Sequence, residues 1–313
     1  MVNITTKLVK KLQSAKFLLV LDRFYKATML KISTKVIEVQ NFLEIERQNN
    51  KSIGFVPTMG ALHKGHLSLI RRSRSENDCT IASVFVNPTQ FNDPSDFDKY
   101  PRTIQKDTEM LREAGCSILF LPSESEIYPD SALKSINFSP GPIAEVLEGA
   151  HRPGHFAGVA AVVKRLLDIV QPHRAYFGLK DYQQFLVIKK LQQFYQIPTQ
   201  IIGCETLREQ DGLAMSSRNS LLSALDRPKA VFLHQMLQKA FNQIMGGNID
   251  FQSIINSILL DFEENGNFKL DYFDICSANS LQKVVNPEKE DLIICVAAFL
   301  GKVRLIDNLI IKR

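Results

Sequence analysis

The chain has 313 residues, 45% of them hydrophobic, enough for two domains or one large one with a true core. Its formal net charge of +5 is unevenly placed: of 38 Lys and Arg and 33 Asp and Glu, residues 1–35 hold eight bases and one acid, Asp22. The rest is close to neutral, which speaks against a nucleic-acid surface on the folded body, and no apolar run approaches the roughly 20 residues of a membrane span. The five cysteines, Cys79, Cys116, Cys204, Cys276 and Cys295, are odd in number, far apart and set in apolar runs. They read as buried thiols in a reducing compartment, hence a cytoplasmic protein.

Residues 1–32 form a basic extension outside the fold. It reads as a weak presequence, a disordered tail or an upstream extension of a chain beginning at Met29. Helical spacing over 36–48 leads to an apolar strand at Ile53–Val56. Then Pro57 and Gly60 mark a turn, two histidines flank a glycine in His63-Lys64-Gly65-His66, and a helix follows over 66–75. A helix start offers free N–H groups and partial positive charge, so this strand–loop–helix suits phosphate. Imidazoles can add hydrogen bonds. A second strand over 80–86 runs into Asn87-Pro88-Thr89-Gln90-Phe91, and the polar stretch to Arg102 precedes a helix over 103–114 closed by Gly115. Residues 117–121 are a third strand. Strand–helix alternation of this kind indicates a parallel sheet with right-handed crossovers, whose ligands bind at the carboxyl ends of the strands.

A loop-rich stretch ends in Leu147-Glu148-Gly149-Ala150-His151-Arg152-Pro153-Gly154-His155-Phe156-Ala157-Gly158, before an apolar helix over about 157–170. The strand 174–177 leaves into Gly178-Leu179-Lys180-Asp181-Tyr182-Gln183-Gln184, and a helix and a strand at 199–203 lead to Met215-Ser216-Ser217-Arg218. After residue 222 the alternation stops. Helices over 226–245 and 249–264 precede strands at 269–277, 291–299 and 302–311. The expectation is an α/β Rossmann-like sheet flanked by helices over 33–222, with a smaller α+β domain over 223–313 that covers the site.

Lys180 can neutralise phosphate as a point charge. Ser216, Ser217 and Arg218 add donors, and the amides of Gln90 and Gln184 can read hydroxyl and carboxylate groups together. Each of these alone also reads as a surface turn or a helix cap. Their weight lies in leaving the expected sheet by one edge. Zinc is disfavoured because no cysteine or carboxylate stands at ligand spacing near His63/His66 or His151/His155. Gly-x-Ser-x-Gly, P-loop and Gly-x-Gly-x-x-Gly signatures are absent.

His-x-Gly-His after a strand, with a later Met-Ser-Ser-Arg loop, resembles the nucleotidylyltransferase superfamily. The chain more closely resembles the pantoate–β-alanine ligases, the pantothenate synthetase family, through residues 57–66, 85–91, 100–102, 147–149, 155–158, 180–184 and 211–219 in order. The resemblance implies an HxGH-type Rossmann-like fold and two steps. Pantoate attacks Mg-ATP to give pantoyl adenylate and pyrophosphate, and β-alanine then displaces AMP to give pantothenate. It implies His63, His66, Lys180 and Arg218 as catalytic, with His66 as proton donor. ATP would be bound by Met59, Gly60, Ala61, Leu62, Lys64, Gly65, Gly178, Leu179, Asp181, Leu207, Met215, Ser216 and Ser217 besides these. Pantoate would meet Gln90 and Gln184. Gln90, His155 and Arg218 would position β-alanine, Asp107 would stand near magnesium, and the enzyme would be a homodimer. The family turn commonly has glutamate where Leu179 stands. The rivals are a nucleotidyl transferase acting on a phosphorylated acceptor, for which arginine or lysine would replace the two glutamines, and a non-enzymatic nucleotide-binding domain.

Overall fold

Ile53, Phe55 and Val56 are fully buried because their strand runs through the middle of a six-stranded parallel sheet. The structure is a computed structural model that describes residues 30–313, apart from Asp93 and the side chain of Ser95. In chain order the larger sheet is built from β1 (Lys31–Ser33), β2 (Ile53–Thr58), β3 (Cys79–Val84), β4 (Ile118–Phe120), β5 (Arg174–Gly178) and β6 (Gln200–Cys204). Their spatial order is β1-β4-β3-β2-β5-β6, every neighbouring pair parallel.

Side chains alternate across such a sheet, and both faces here are apolar. Phe55, Ile81, Ile118 and Ala175 face helices α1 (Val36–Gln48) and α7 (His155–Val170). Val56, Ala82, Leu119 and Tyr176 face α2 (Lys64–Glu76) and α4 (Ile104–Glu113), whose Leu67, Ile70 and Leu111 close that side. Burial on both faces explains why the strands read as unbroken apolar runs. Three short helices, α3 (Pro94–Lys99), α5 (Glu124–Ile127) and α6 (Glu148–His151), lie in the connections, and α8 (Tyr182–Phe194) links β5 to β6.

The structure corrects three sequence-based boundaries. Lys31 and Ile32 belong to the sheet: β1 pairs with β4, with Lys31 N–H donating to Ser117 O at 3.0 Å and Leu121 N–H to Ser33 O at 2.8 Å. Only Ser33 of this edge strand is buried, so no apolar alternation announces it. The rest of the basic extension, residues 1–29, lies outside the described residues. Helix α2 starts at Lys64 rather than 66, for a reason that concerns the site. Helix α9 (Phe232–Met245) starts six residues later than 226, after a 3₁₀ turn at Lys229–Val231. Pro228 lacks an N–H and disfavours a helical Arg227, which delays entry.

The C-terminal part packs α9 and α10 (Phe251–Asn265) on an antiparallel sheet of β7 (Phe268–Ser277), β8 (Leu292–Leu300) and β9 (Val303–Ile311). Strand β8 serves two cores by alternation. Ile294, Val296 and Ala298 face its own helices, while Ile293 and Cys295 pack with Leu147, Phe156, Leu186 and Val187 of the first part. The small sheet thereby lies against the loops that leave β5 and precede α7. Among the described residues, no helix is long and apolar enough to cross a membrane.

Candidate active site

The loops leaving β2, β3, β5 and β6 converge on a cavity of about 230 Å³. The first loop is fixed from beneath. Thr58 Oγ1 donates to Ser83 O and accepts from Gly60 N–H, at 2.8 and 3.2 Å. Gly60 and Ala61 both have positive φ, 81° and 48°. Asp107 stabilises this conformation: its carboxylate accepts from the N–H groups of Ala61 (2.9 Å) and Leu62 (2.8 Å) and from Thr103 Oγ1 (3.0 Å). Asp107 is 1% exposed, and these donors occupy three of the acceptor positions of its carboxylate. Leu62 is a core residue of the α2 side, and Lys64 is exposed.

The histidines cap their own helix. His63 Nδ1 accepts from Gly65 N–H at 3.1 Å, and His66 Nδ1 accepts from His63 N–H at 3.4 Å, a capping box made of two imidazoles. This is why α2 begins at Lys64. It also takes Gly65 N–H out of the set of donors that the helix start can offer to phosphate. Accepting at Nδ1 leaves the hydrogen of each neutral ring on Nε2, and both rings line the cavity with centroids 4.1 Å apart. Burial pushes the His63 pKa down to about 4, helped by the Lys180 cation against Asp181. Burial, His63 and Lys180 push His66 down to about 3. Both rings are therefore neutral hydrogen-bond donors at neutral pH.

The opposite wall carries Lys180 and the 215–218 loop. The Gly178–Asp181 turn is held from the C-terminal part: Asn308 Nδ2 of β9 donates to Leu179 O (2.9 Å) and Lys180 O (2.7 Å). Leu179 packs over Gly203 of β6, where a Cβ would clash with it, so leucine serves as a packing residue at this position. Lys180 Nζ is 3.8 Å from Asp181 Oδ1, too long for a strong hydrogen bond. Ser217 Oγ donates to Ala61 O at 3.0 Å, tying this wall to the first loop, and Ser216 Oγ accepts from Arg218 N–H at 3.3 Å. Arg218 meets Asp96 Oδ2 at 3.1 Å. Met215 N–H donates to Leu207 O at 3.0 Å, and both residues line the cavity with Gly178.

Met59, Gln90, His155 and Gln184 line the cavity too. Gln90 is 7% exposed, with Nε2 directed at Met59 Sδ, 2.9 Å away. Its backbone rests on α7 at Gly158, where a Cβ would lie 2.3 Å from Thr89 O and 2.8 Å from Gln90 N. Gly158→Ala is accordingly expected to destabilise the protein by about 1–3 kcal/mol, as overpacking against backbone does. A fall in the urea midpoint would show this, and an unchanged midpoint would contradict it. His155 Nδ1 lies 2.8 Å from Gln90 O, and Arg152 Nη1 lies 3.2 Å from His155 Nε2. Burial, then the Arg152 charge, push the His155 pKa to about 4.

A second chamber of about 420 Å³ opens beside this cavity, between the two parts, and shares Arg152, His155, Lys180, Asp181, Gln184 and Arg218 with it. Glu148, 7% exposed, lines it. Burial pushes its carboxyl up, but the hydrogen bonds and charge of Arg304, with Tyr272 and Arg152, outweigh that and hold it at about 2. Arg304 grips both oxygens at 2.7 and 2.8 Å, and Tyr272 Oη donates at 2.9 Å. The structure thus brings His63, His66, Lys180, Ser216, Ser217, Arg218, Gln90, Gln184 and His155 together. It leaves Gly60, Ala61, Leu62, Lys64, Asp107 and Leu179 off the cavity lining. Sequence reasoning gave no role to Arg152, Glu148, Arg304 or Asn308. Only the Glu148/Arg152 pair, four apart in one segment, carried a local signal.

A family model described as pantoate-beta-alanine ligase matches residues 31–310. The pantothenate synthetase of Cytophaga hutchinsonii is 43% identical over 282 residues, covering 89% of this chain and 98% of its own. That of Bacteroides thetaiotaomicron is also 43% identical over 282 residues, covering 90% and 98%. Among solved structures, pantothenate synthetase from Thermus thermophilus superposes with a TM-score of 0.82 at 40% identity, covering 90% of this chain and 99% of that one. The pantoate-beta-alanine ligase from Francisella tularensis, complexed with beta-gamma ATP and beta-alanine, gives 0.73 at 40% identity, covering 90% and 97%.

Proposed function

The chain belongs to the pantoate–β-alanine ligase family, and we propose that its cleft performs both half-reactions between facing walls of neutral imidazoles and cations. The enzyme is an ATP-dependent ligase that condenses pantoate with β-alanine to pantothenate, with ATP as substrate. Pantoate sits between Gln90 and Gln184, its carboxylate aimed at the α-phosphate of ATP. Adenylation spreads charge over the transferring phosphoryl group and the departing pyrophosphate, so it calls chiefly for positioned donors. The Nε2–H groups of His63 and His66 supply them on one side. Lys180, Ser216, Ser217 and Arg218 supply charge and donors on the other. Gly178 and Asp181 hold the ribose, and the backbone of Leu207 and Met215 lies along the adenine. Water must stay out while the acyl adenylate waits. The domain over 223–313 serves that end by closing the chamber against the one over 33–222.

Magnesium, an ion that needs few protein ligands, would accompany ATP and offset charge on its phosphates, with Asp107 the carboxylate that the family resemblance places beside it. Among the described residues no group of three or more His, Cys, Asp or Glu is placed to hold a metal. A cytoplasmic homodimer completes the proposal, by family analogy alone.

The observation that carries it is the convergence of His63/His66 and Lys180/Ser216–Arg218 on one cavity that ends in two uncharged glutamine amides. A phosphorylated acceptor would call for cations at those positions. Mixing enzyme, ATP and pantoate without β-alanine should release about one pyrophosphate per site, and β-alanine should convert that burst into steady turnover. Pyrophosphate release that ignores pantoate would refute the assignment.

A further inference from the structure

His155 bonds to a backbone carbonyl through Nδ1. A carbonyl only accepts, so Nδ1 carries the hydrogen and the lone pair of the neutral ring sits on Nε2. That lone pair is covered: Arg152 Nη1 donates to it at 3.2 Å. Arg152 is itself poorly satisfied. Its other partners are Gln90 O at 3.4 Å and Glu148 Oε2 at 3.6 Å, while Glu148 is already gripped by Arg304 and Tyr272. A mostly buried guanidinium with five donors, whose carboxylate neighbour Glu148 stands at 3.6 Å and is engaged by Arg304 and Tyr272, is a receptor for a second carboxylate. It faces the chamber that adjoins the adenylation cavity.

We propose that the carboxylate of β-alanine draws Arg152 away from His155, and that the exposed Nε2 then acts as the general base of the amide-forming step. The inference rests on the ligase reading and deepens it. β-Alanine carries its amine two methylenes from its carboxylate, so a molecule anchored on Arg152 brings its nitrogen to the neighbourhood of His155. The ammonium gives its first proton to bulk solvent as β-alanine enters, before the chamber closes. The free amine attacks the acyl carbon of the adenylate and the C–N bond forms. Nε2 takes the second proton from the attacking nitrogen, the acyl C–O bond breaks, and its electron pair leaves with the phosphate oxygen of AMP. His155 later returns that proton to solvent. Until the correct amino acid arrives the base is covered, so it cannot activate water against the adenylate. Glu148, held by Arg304, is a positioning residue that keeps Arg152 beside His155 in the resting state.

Two variants and one substrate analogue test this, with pantoate-dependent ATP–pyrophosphate exchange of the same preparation as the measure of competent sites. Asparagine at 155 can keep the bond to Gln90 O but has no Nε2. His155→Asn should slow aminolysis of the enzyme-bound adenylate by about 100-fold relative to exchange, the usual scale of a general base. β-Alaninamide lacks the carboxylate and should be a poor acceptor for the wild type. Arg152→Met, which uncovers Nε2 permanently, should weaken use of β-alanine at least tenfold yet make β-alaninamide react faster, per competent site, than in the wild type. A purely structural Arg152 would give no such gain. The proposal is overturned if His155→Asn lowers aminolysis no more than exchange, or if β-alaninamide reacts no faster with Arg152→Met. Absence of pantoate-dependent exchange in the wild type would instead sink the ligase assignment beneath it.

Discussion

Lys180→Ala is expected to lower the rate of adenylation at least 100-fold, with pantoate-dependent ATP–pyrophosphate exchange as the readout. The Lys180 side chain is 15% exposed, and the carboxylate oxygen of Asp181 is 3.8 Å from its ammonium. Its charge is therefore only partly neutralised and remains available to a polyphosphate. That charge acts across the cleft, since it helps push down the pKa values of both His63 and His66. A charge that meets a developing negative charge in a water-poor site commonly supplies factors of 10² to 10³. Its position does not depend on the side chain alone, because Asn308 holds the carbonyls of Leu179 and Lys180. Lys180→Ala should leave that backbone in place and remove only the charge. Lys180→Arg should recover part of the rate, since a planar guanidinium keeps the charge but not the compact geometry. Exchange within threefold of wild type in Lys180→Ala would remove the residue from the catalytic set.

What the sequence made legible follows the range of the interactions involved. The parallel sheet could be read because its central strands are short apolar runs between turn residues. The cleft could be read because His63, Gln90, Lys180 and Gln184 follow strand ends. Strand β1 could not, because its place is set by pairing with β4, nearly ninety positions along the chain. The contacts of Asp107 could not be read either, because the N–H groups it holds belong to Ala61 and Leu62, 46 and 45 positions away. Asn308 and Arg304 act on residues 128 and 156 positions away, so no local spacing could assign them. They make the C-terminal part a component of the site as well as its cover. Leu179 stands where the family turn commonly has glutamate, and its packing over Gly203 gives the leucine a contact that no local spacing announces.

His66→Ala is expected to reduce kcat by about 100-fold, the cost of losing one preorganised donor to the transferring phosphates. The protonation state gives this result a second edge. Burial, His63 and Lys180 hold His66 near a pKa of about 3 in the ligand-free protein, against about 6.5 in the unfolded chain. The ring therefore begins as a neutral Nε2–H donor, and the imidazolium expected from a proton donor can form only after ATP brings negative charge. Accordingly kcat/KM for ATP, which reports the free enzyme, should show no acid limb from His66 near pH 6.5. The sign for stability is fixed as well. A histidine whose folded pKa is depressed binds more protons when unfolded, so stability is complete above about pH 6.5 and falls as pH drops towards 3. His63, depressed to about 4, adds to the slope over the upper part of that window. Removing the ring should flatten the loss of urea-unfolding stability between pH 6.5 and 4 even as it lowers turnover. A variant with wild-type acid sensitivity would mean that His66 is not held neutral by the fold, and one with wild-type kcat would mean that its N–H does not meet the phosphates.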